Sequence, residues 1–220
     1  MKTQTDVFRG RDFWIEENRR YSQPHFRLEK CARIVNALSR GKECDLLDVG
    51  CGPATLVRLL RKNVNYHGID IAIHAPAPNL IEADFIENQI GFKGKSFDII
   101  IAAGLFEYLG DLQDCKLLEI AHILKPHGTF IASYTNFDHI HAFRYPPYNN
   151  IMSLEDFKNS LGSVFRIERY FPVSHNWMAS DPRRKWLKEV QMPLNLNIPV
   201  LSRWFGVGFF FICSKAESCV

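Results

Sequence analysis

The chain has 220 residues, a net charge of +3 and a hydrophobic fraction of 46%. This length suits one domain with a sizeable core, and the near balance of charge excludes the pervasive basic field that dominates nucleic-acid binding. Cys31, Cys44, Cys51, Cys115, Cys213 and Cys219 form no C-x-x-C pair or zinc-like spacing, so they read as reduced thiols with no metal site.

The amino-terminal MKTQTDVFRGRDF places charges where a signal peptide needs an apolar core, and no run approaches a membrane span. A cytoplasmic protein with no membrane partner is expected. Residues 9–21 mix aromatic and basic side chains, with Trp14 and Tyr21 placed to cap a pocket, or simply to pack beneath a solvated basic face. Residues 24–38 predict an amphipathic helix, since Leu28, Cys31, Ala32 and Val35 recur at i, i+3, i+4 and i+7.

A first strand around Leu46, Leu47 and Val49 runs into Gly50, Cys51 and Gly52. A helix over 54–61 and a second strand over 66–69, ending in Asp70, complete a β-α-β unit. Residues 79–83 predict a third strand, and 97–102 (FDIIIA) a fourth buried on both faces, because polar alternation is missing. Leu117, Ile120, Ala121 and Leu124 mark a helix that stops before Pro126, and the KPHG turn leads into a fifth strand over 129–134.

Ser153 and Asp156 predict a capping box for a helix bearing Leu154, Phe157 and Leu161, with Gly162 as its stop. Residues 164–171 and 206–213 predict sixth and seventh strands paired antiparallel, with a proline-punctuated insert over 172–204. The expected fold is α/β: a Rossmann-like, doubly wound, seven-stranded sheet, mostly parallel with an antiparallel last strand and helices on both faces. One domain is expected over 1–220, with a helical cap over 1–40, a core over 45–134 and terminal elements over 135–220.

The most informative stretch is 46–56, LLDVGCGPATL. Glycines there let backbone approach a ligand closely, and Asp48 sits where the turn begins. A carboxylate at that place repels a pyrophosphate and attracts a ligand carrying ammonium and sulfonium charge. Counting G-x-G-x-x-G from Gly50 puts the last position on Thr55, which departs from the dinucleotide fingerprint. The D-x-G-x-G-x-A pattern from Asp48 to Ala54 resembles the nucleotide-binding motif of class I S-adenosylmethionine-dependent methyltransferases. The resemblance covers roughly 45–134 in its motifs, and the terminal strand pair in outline.

That resemblance implies S-adenosyl-L-methionine as cofactor, with Asp48, Gly50, Cys51 and Gly52 at the turn. Asp70, with Ile71 beside it, would accept hydrogen bonds from both ribose hydroxyls. Asp84 would accept one from the adenine amino group, with Phe85 against the ring, while Ala103 and Gly104 pass beneath the methionine portion and Tyr21 covers the pocket. The turn GLFEYLGD departs from the family's commoner Glu-His form, and Tyr108 there is placed either to position an acceptor hydroxyl or to pack.

The segment 135–150 collects His139, His141, Arg144, Tyr145 and Tyr148 at the expected carboxyl edge of the sheet, as an acceptor wall. His139 or His141 can take a proton from an acceptor oxygen, unless they are ordinary surface histidines; His175, Asn176 and Trp177 form a comparable cluster. Tyr145-Pro146-Pro147-Tyr148 evokes base-modifying enzymes, but it follows the fifth strand instead of the fourth and lacks the leading Asn, so no nucleic-acid partner is expected.

The resulting expectation is methyl transfer to an oxygen or nitrogen of a small-molecule acceptor, through positioning and water exclusion. Two alternatives stand: an NAD(P)-dependent oxidoreductase, and a catalytically idle cofactor-binding protein that uses the aromatic 172–204 insert as an interface.

Overall fold

The computed structural model describes residues 10–24, 26–92, 94–137, 152–175 and 206–216. Four α-helices lie among them: α1 (Arg11–Asn18), α2 (Phe26–Ser39), α3 (Gln113–Ile123) and α4 (Leu154–Val164). The strands are β1 (Cys44–Val49), β2 (Val64–Asp70), β3 (Leu80–Glu82), β4 (Phe97–Ala103), β5 (Leu124–Thr135), β6 (Phe165–His175) and β7 (Gly206–Lys215). They form one seven-stranded sheet in the order β3-β2-β1-β4-β5-β7-β6. Strands β1 to β5 pair in parallel, and β7 runs antiparallel to both β5 and β6. The doubly wound sheet with its antiparallel last strand is the fold expected from the sequence.

Burial on both faces explains why the central strands read as unbroken apolar runs. Along β4, Ile99 and Ile101 pack with Cys31, Ala32 and Val35 of α2 on one face, while Ile100 and Ala102 pack with α3 and α4 on the other. Helix α4 starts on the expected capping box. The Ser153 hydroxyl accepts from the Asp156 N–H at 3.0 Å and donates to the Asp156 carboxylate at 2.7 Å. Its apolar face carries Phe157, whose ring stacks on Tyr134 of β5 at 4.1 Å and 8°. The Tyr134 hydroxyl in turn donates to the Met152 carbonyl and accepts from the Met152 N–H, each at 3.1 Å.

Three expectations need correction. Residues 54–61 do not form an α-helix: Thr55–Leu59 is a short 3-10 turn, entered through Ala54 at φ 53 and left through an extended Leu60. Gly162 does not stop α4, which runs on to Val164 because Leu161 and Val164 are both buried on its inner face. Strand β5 begins at Leu124 and passes through Pro126, with a register irregularity opposite Phe97 and Ile99 that accommodates the proline. Residues 138–151 and 176–205, which include most of the expected insert, lie outside the described residues.

One acid is sealed inside the sheet. Asp48, 4% exposed, lies on the α2 side of β1 and accepts a 2.9 Å hydrogen bond from the Tyr66 hydroxyl of β2. Gly68 stands opposite it, and a Cβ there would lie 2.8 Å from the Cys51 sulfur, so glycine at 68 makes room for the turn that follows β1. Burial pushes the Asp48 carboxyl up to about 7; the Tyr66 hydrogen bond works against this and the charge of Asp70 adds to it.

Two outcomes are expected. Phe157→Ala removes the ring stacked on Tyr134 and lowers the unfolding free energy by about 3–5 kcal/mol, measured by urea denaturation. The folded state holds the Asp48 proton more tightly than a solvated aspartate does. This group's contribution is therefore complete below about pH 4 and is lost as pH rises through the folded-state value. Asp48→Asn removes that loss, so its unfolding free energy in urea changes less between pH 5 and 8 than that of the unaltered chain, by on the order of 3 kcal/mol.

Candidate functional site

The order of strands reverses between β1 and β4, and open α/β sheets bind ligands at such a point, beyond the carboxyl ends of the strands. A cavity of about 200 Å³ lies there. Its floor is the turn after β1, where Gly50 and Gly52 take φ of 76° and 53°. The turn's amides point into the protein. Gly50 and Cys51 N–H both donate to the Ile69 carbonyl, at 2.8 and 3.2 Å, and Gly52 N–H donates to Asp70 Oδ2 at 2.7 Å. Asp70 Oδ1 accepts from Ala72 N–H at 2.9 Å. One carboxylate at the end of β2 thus holds both its own exit loop and the glycine turn.

Beyond Asp70 and Ile71 the wall continues through Asp84 and Phe85. Asp84 Oδ1 accepts from Ile86 N–H at 2.8 Å. Helix α3 supports this loop from behind through Lys116, 6% exposed. Its ammonium lies 4.5 Å from the centre of the Phe85 ring and donates to the Asn88 carbonyl at 2.9 Å and to Glu119 Oε2 at 3.0 Å. Glu119 Oε1 accepts from Ile90 N–H.

The opposite wall comes from the ends of β4 and β5. Gly104 takes φ of 76°, and the Arg27 guanidinium of α2 occupies the space that a side chain at 104 would fill. Glu107 lies in the 3-10 turn Phe106–Tyr108, 3% exposed, and lines the cavity. Its Oε1 accepts from the N–H and hydroxyl of Thr135 at 2.9 and 2.8 Å, whereas Oε2 is buried without a hydrogen bond. Burial pushes its carboxyl above the ordinary glutamate range, opposed by hydrogen bonds, including those from Thr135, and by the charge of Arg27.

Helix α1 crosses the cavity between these walls. Arg11 grips Glu82 at the end of β3 through Nε–Oε1 at 2.7 Å and Nη2–Oε2 at 3.3 Å. On the other side the Trp14 ring meets Tyr108 edge-on at 5.0 Å. The segment that follows is tied down where Thr55 Oγ1 donates to the Tyr21 carbonyl at 2.7 Å.

Of the residues singled out in the sequence, Gly50, Cys51, Gly52, Asp70, Ile71, Asp84, Phe85, Ala103, Gly104, Tyr21 and Tyr108 all line this cavity. Asp48 does not: it lies beneath the turn against Tyr66, so it shapes the floor and is not on its surface. His139, His141, Arg144, Tyr145, Tyr148, Asn176 and Trp177 lie outside the described residues, and of His175 only the strand position is described. The sequence gives no site role to Arg27 or Thr135, and it marks Glu107 only as the neighbour of Tyr108 in the turn where the resembling family faces the acceptor. An acid flanked by Phe106 and Tyr108 within an apolar turn was a legible sign of burial. Arg27, on the charged face of its helix, gave none.

The residues present suit an adenosyl sulfonium. The glycine turn has turned its amides inward, and Thr55–Leu59 is too short to offer a helix terminus, so neither anion-binding device of a dinucleotide site is present there. The carboxylates of Asp70 and Asp84 and the ring of Phe85 remain on the cavity wall.

A family model described as a methyltransferase domain matches residues 24–195. No curated protein matches the chain by sequence. Among solved structures, a chain of the complex between the Haloferax volcanii Trm112 methyltransferase activator and the putative methyltransferase is similar at TM-score 0.62 and 18% identity, over 98% of each chain. The N-methyltransferase NodS of Bradyrhizobium japonicum WM9, in complex with S-adenosyl-l-homocysteine, is similar at 0.57 and 12% identity, over 86% of each chain. The cyclopropane synthase MmaA2 of Mycobacterium tuberculosis is similar at 0.53 and 17% identity, over 84% of each chain. These likenesses concern the fold, which carries more than one chemistry in these proteins. With most of its length matched by the family model, and with the glycine turn and sheet order described above, the chain belongs to the class I S-adenosylmethionine-dependent methyltransferase family.

Proposed function

We propose that this protein transfers a methyl group from S-adenosylmethionine to an oxygen or nitrogen of a small metabolite. The observation that carries this reading is the cavity at the switch point, with acids at the ends of β2 and β3 and inward-turned glycine amides between them. Asp70 would hold the ribose hydroxyls, Asp84 and Phe85 the adenine, and the stretch from Gly50 to Gly52 with Ala103 and Gly104 the amino-acid portion. When bound, the cofactor supplies a methyl carbon already activated by its sulfonium.

The chain's own contribution is placement and dryness. Trp14 and Tyr21 cover the cavity, which limits water at the reacting atoms, and Tyr108 is placed to orient an acceptor. His139 and His141 stay as proposed proton acceptors for a hydroxyl. No helix among the described residues is long and apolar enough to cross a membrane, and the lack of paired cysteine spacing favours a cytoplasmic setting. An oxidoreductase would need amides or a helix terminus facing a pyrophosphate, and the turn offers neither. A catalytically idle relative differs from the enzyme in one readout: it binds the cofactor and releases no labelled product from any metabolite pool.

Asp70→Asn is expected to weaken S-adenosylhomocysteine binding about ten- to hundredfold by calorimetry, and unchanged affinity would refute the assignment. In a thermal-shift comparison, S-adenosylhomocysteine stabilises the unaltered chain and NADH does not. Lys116→Met leaves Glu119 unpaired and Phe85 without its backing. It lowers the unfolding free energy by about 3 kcal/mol in urea and weakens S-adenosylhomocysteine severalfold, although residue 116 does not line the cavity.

A further inference from the structure

Glu107 is a carboxylate with its two oxygens in different circumstances. Oε1 is saturated by the backbone and side chain of Thr135, which fixes the plane of the group; Oε2 is buried with no donor. A fixed, buried and half-unsatisfied carboxylate on a cavity wall is costly, and the cost is relieved when a ligand brings a donor. Its position adds direction. Glu107 and Thr135 sit at the carboxyl ends of β4 and β5, whereas Asp70 and Asp84 sit at those of β2 and β3, so the wall that would hold the nucleoside and the wall that carries Glu107 are separate.

The surroundings limit what that donor is. Tyr108 lies next in the same turn, and Trp14 of α1 stands edge-on to it, so aromatic surface lines the same cavity as the carboxylate. Aromatic surface and a carboxylate together suit an organic cation, through the ring quadrupole and a charge-assisted hydrogen bond. Arg27 faces the group from α2, yet no hydrogen bond reaches Oε2, and the guanidinium lies over Gly104. An anionic acceptor would meet the like charge of the carboxylate, and a neutral alcohol would bring Oε2 a donor without charge.

We infer that Glu107 Oε2 is the seat of the methyl acceptor's nitrogen, and that the acceptor is an aryl- or alkylamine that enters as its ammonium. This rests on the methyl-transfer reading and names its substrate class. The ammonium gives one proton to Oε2 and becomes a neutral amine. Its freed lone pair forms the bond to the methyl carbon as the carbon–sulfur bond breaks, and that bond's electron pair stays on sulfur as a neutral thioether. The product is a methylated ammonium, and the proton on Glu107 returns to solvent. With its carboxyl raised above the ordinary glutamate range by burial, Glu107 takes up a proton more readily than a solvated glutamate does.

The test is calorimetry on protein saturated with S-adenosylhomocysteine, titrated in turn with 2-phenylethylamine, 2-phenylethanol and phenylacetate. The amine is expected to bind at least tenfold more tightly than the other two. In Glu107→Gln the amide oxygen can still accept from Thr135 while an NH2 group replaces Oε2. Amine affinity is expected to fall at least tenfold there, with S-adenosylhomocysteine affinity kept within about twofold as the check on folding. Equal binding of alcohol and amine by the unaltered chain, or no binding of the amine, overturns the proposal without any variant, as does amine binding that survives Glu107→Gln. Failure of the unaltered chain to bind S-adenosylhomocysteine sinks the methyl-transfer reading itself and is seen before any amine is added.

Discussion

Everything at the ligand-binding edge of this protein depends on how the turn after β1 is seated against β2. Three consecutive N–H groups of that turn are spent on β2: two on the Ile69 carbonyl and one on the Asp70 carboxylate. Since each donor is satisfied internally, the turn presents glycine Cα surface to the cavity in place of polar hydrogens. A ligand with a flexible, cationic tail can lie across such a surface, while a pyrophosphate finds no donors there. The same seating places Asp70 at the border between floor and wall. The choice of ligand charge is thus made by backbone hydrogen bonding before any side chain touches the ligand.

The central strands were legible because physics leaves little choice for runs such as FDIIIA: with both faces covered, every position is apolar. The 54–61 segment misled for a different reason. Its apolar residues suit a helix, but Thr55 is held by the Tyr21 carbonyl and Ala54 takes a left-handed conformation, so tertiary contacts cut the helix to a 3-10 turn. Asp48 was legible as an acid of the motif and misplaced as a surface contact. Strand side chains alternate, so Asp48 shares a face with Leu46, which packs beneath the sheet with α2, and period-two reasoning alone points it away from the ligand edge. Lys116 and Glu119 carry no local signal, since an i, i+3 pair of opposite charges on a helix ordinarily lies in solvent.

The buried ionisable groups divide the labour around the cavity. Asp48 is paired and lies below the floor, where its task is to hold β1 against β2. Lys116 is paired behind the loop that carries Asp84 and Phe85, and acts through them. Glu107 alone among these three combines a place on the cavity wall with an oxygen that has no donor. Burial of charge is tolerated where the surroundings complete it. The protein supplies hydrogen-bond partners to Asp48 and Lys116, whereas one oxygen of Glu107 has none from the protein.

Among the described contacts of helix α1 with the rest of the molecule, two are of unlike physical kind. The Arg11–Glu82 pair is half exposed, with side chains 51% and 40% accessible, and mobile counterions weaken such a contact as ionic strength rises. The Trp14–Tyr108 contact on the far side is between rings and is nearly indifferent to salt. Concentrated electrolyte therefore weakens the attachment at the Glu82 end and leaves the aromatic attachment nearly untouched, so salt acts on one edge of the helix and not on the other.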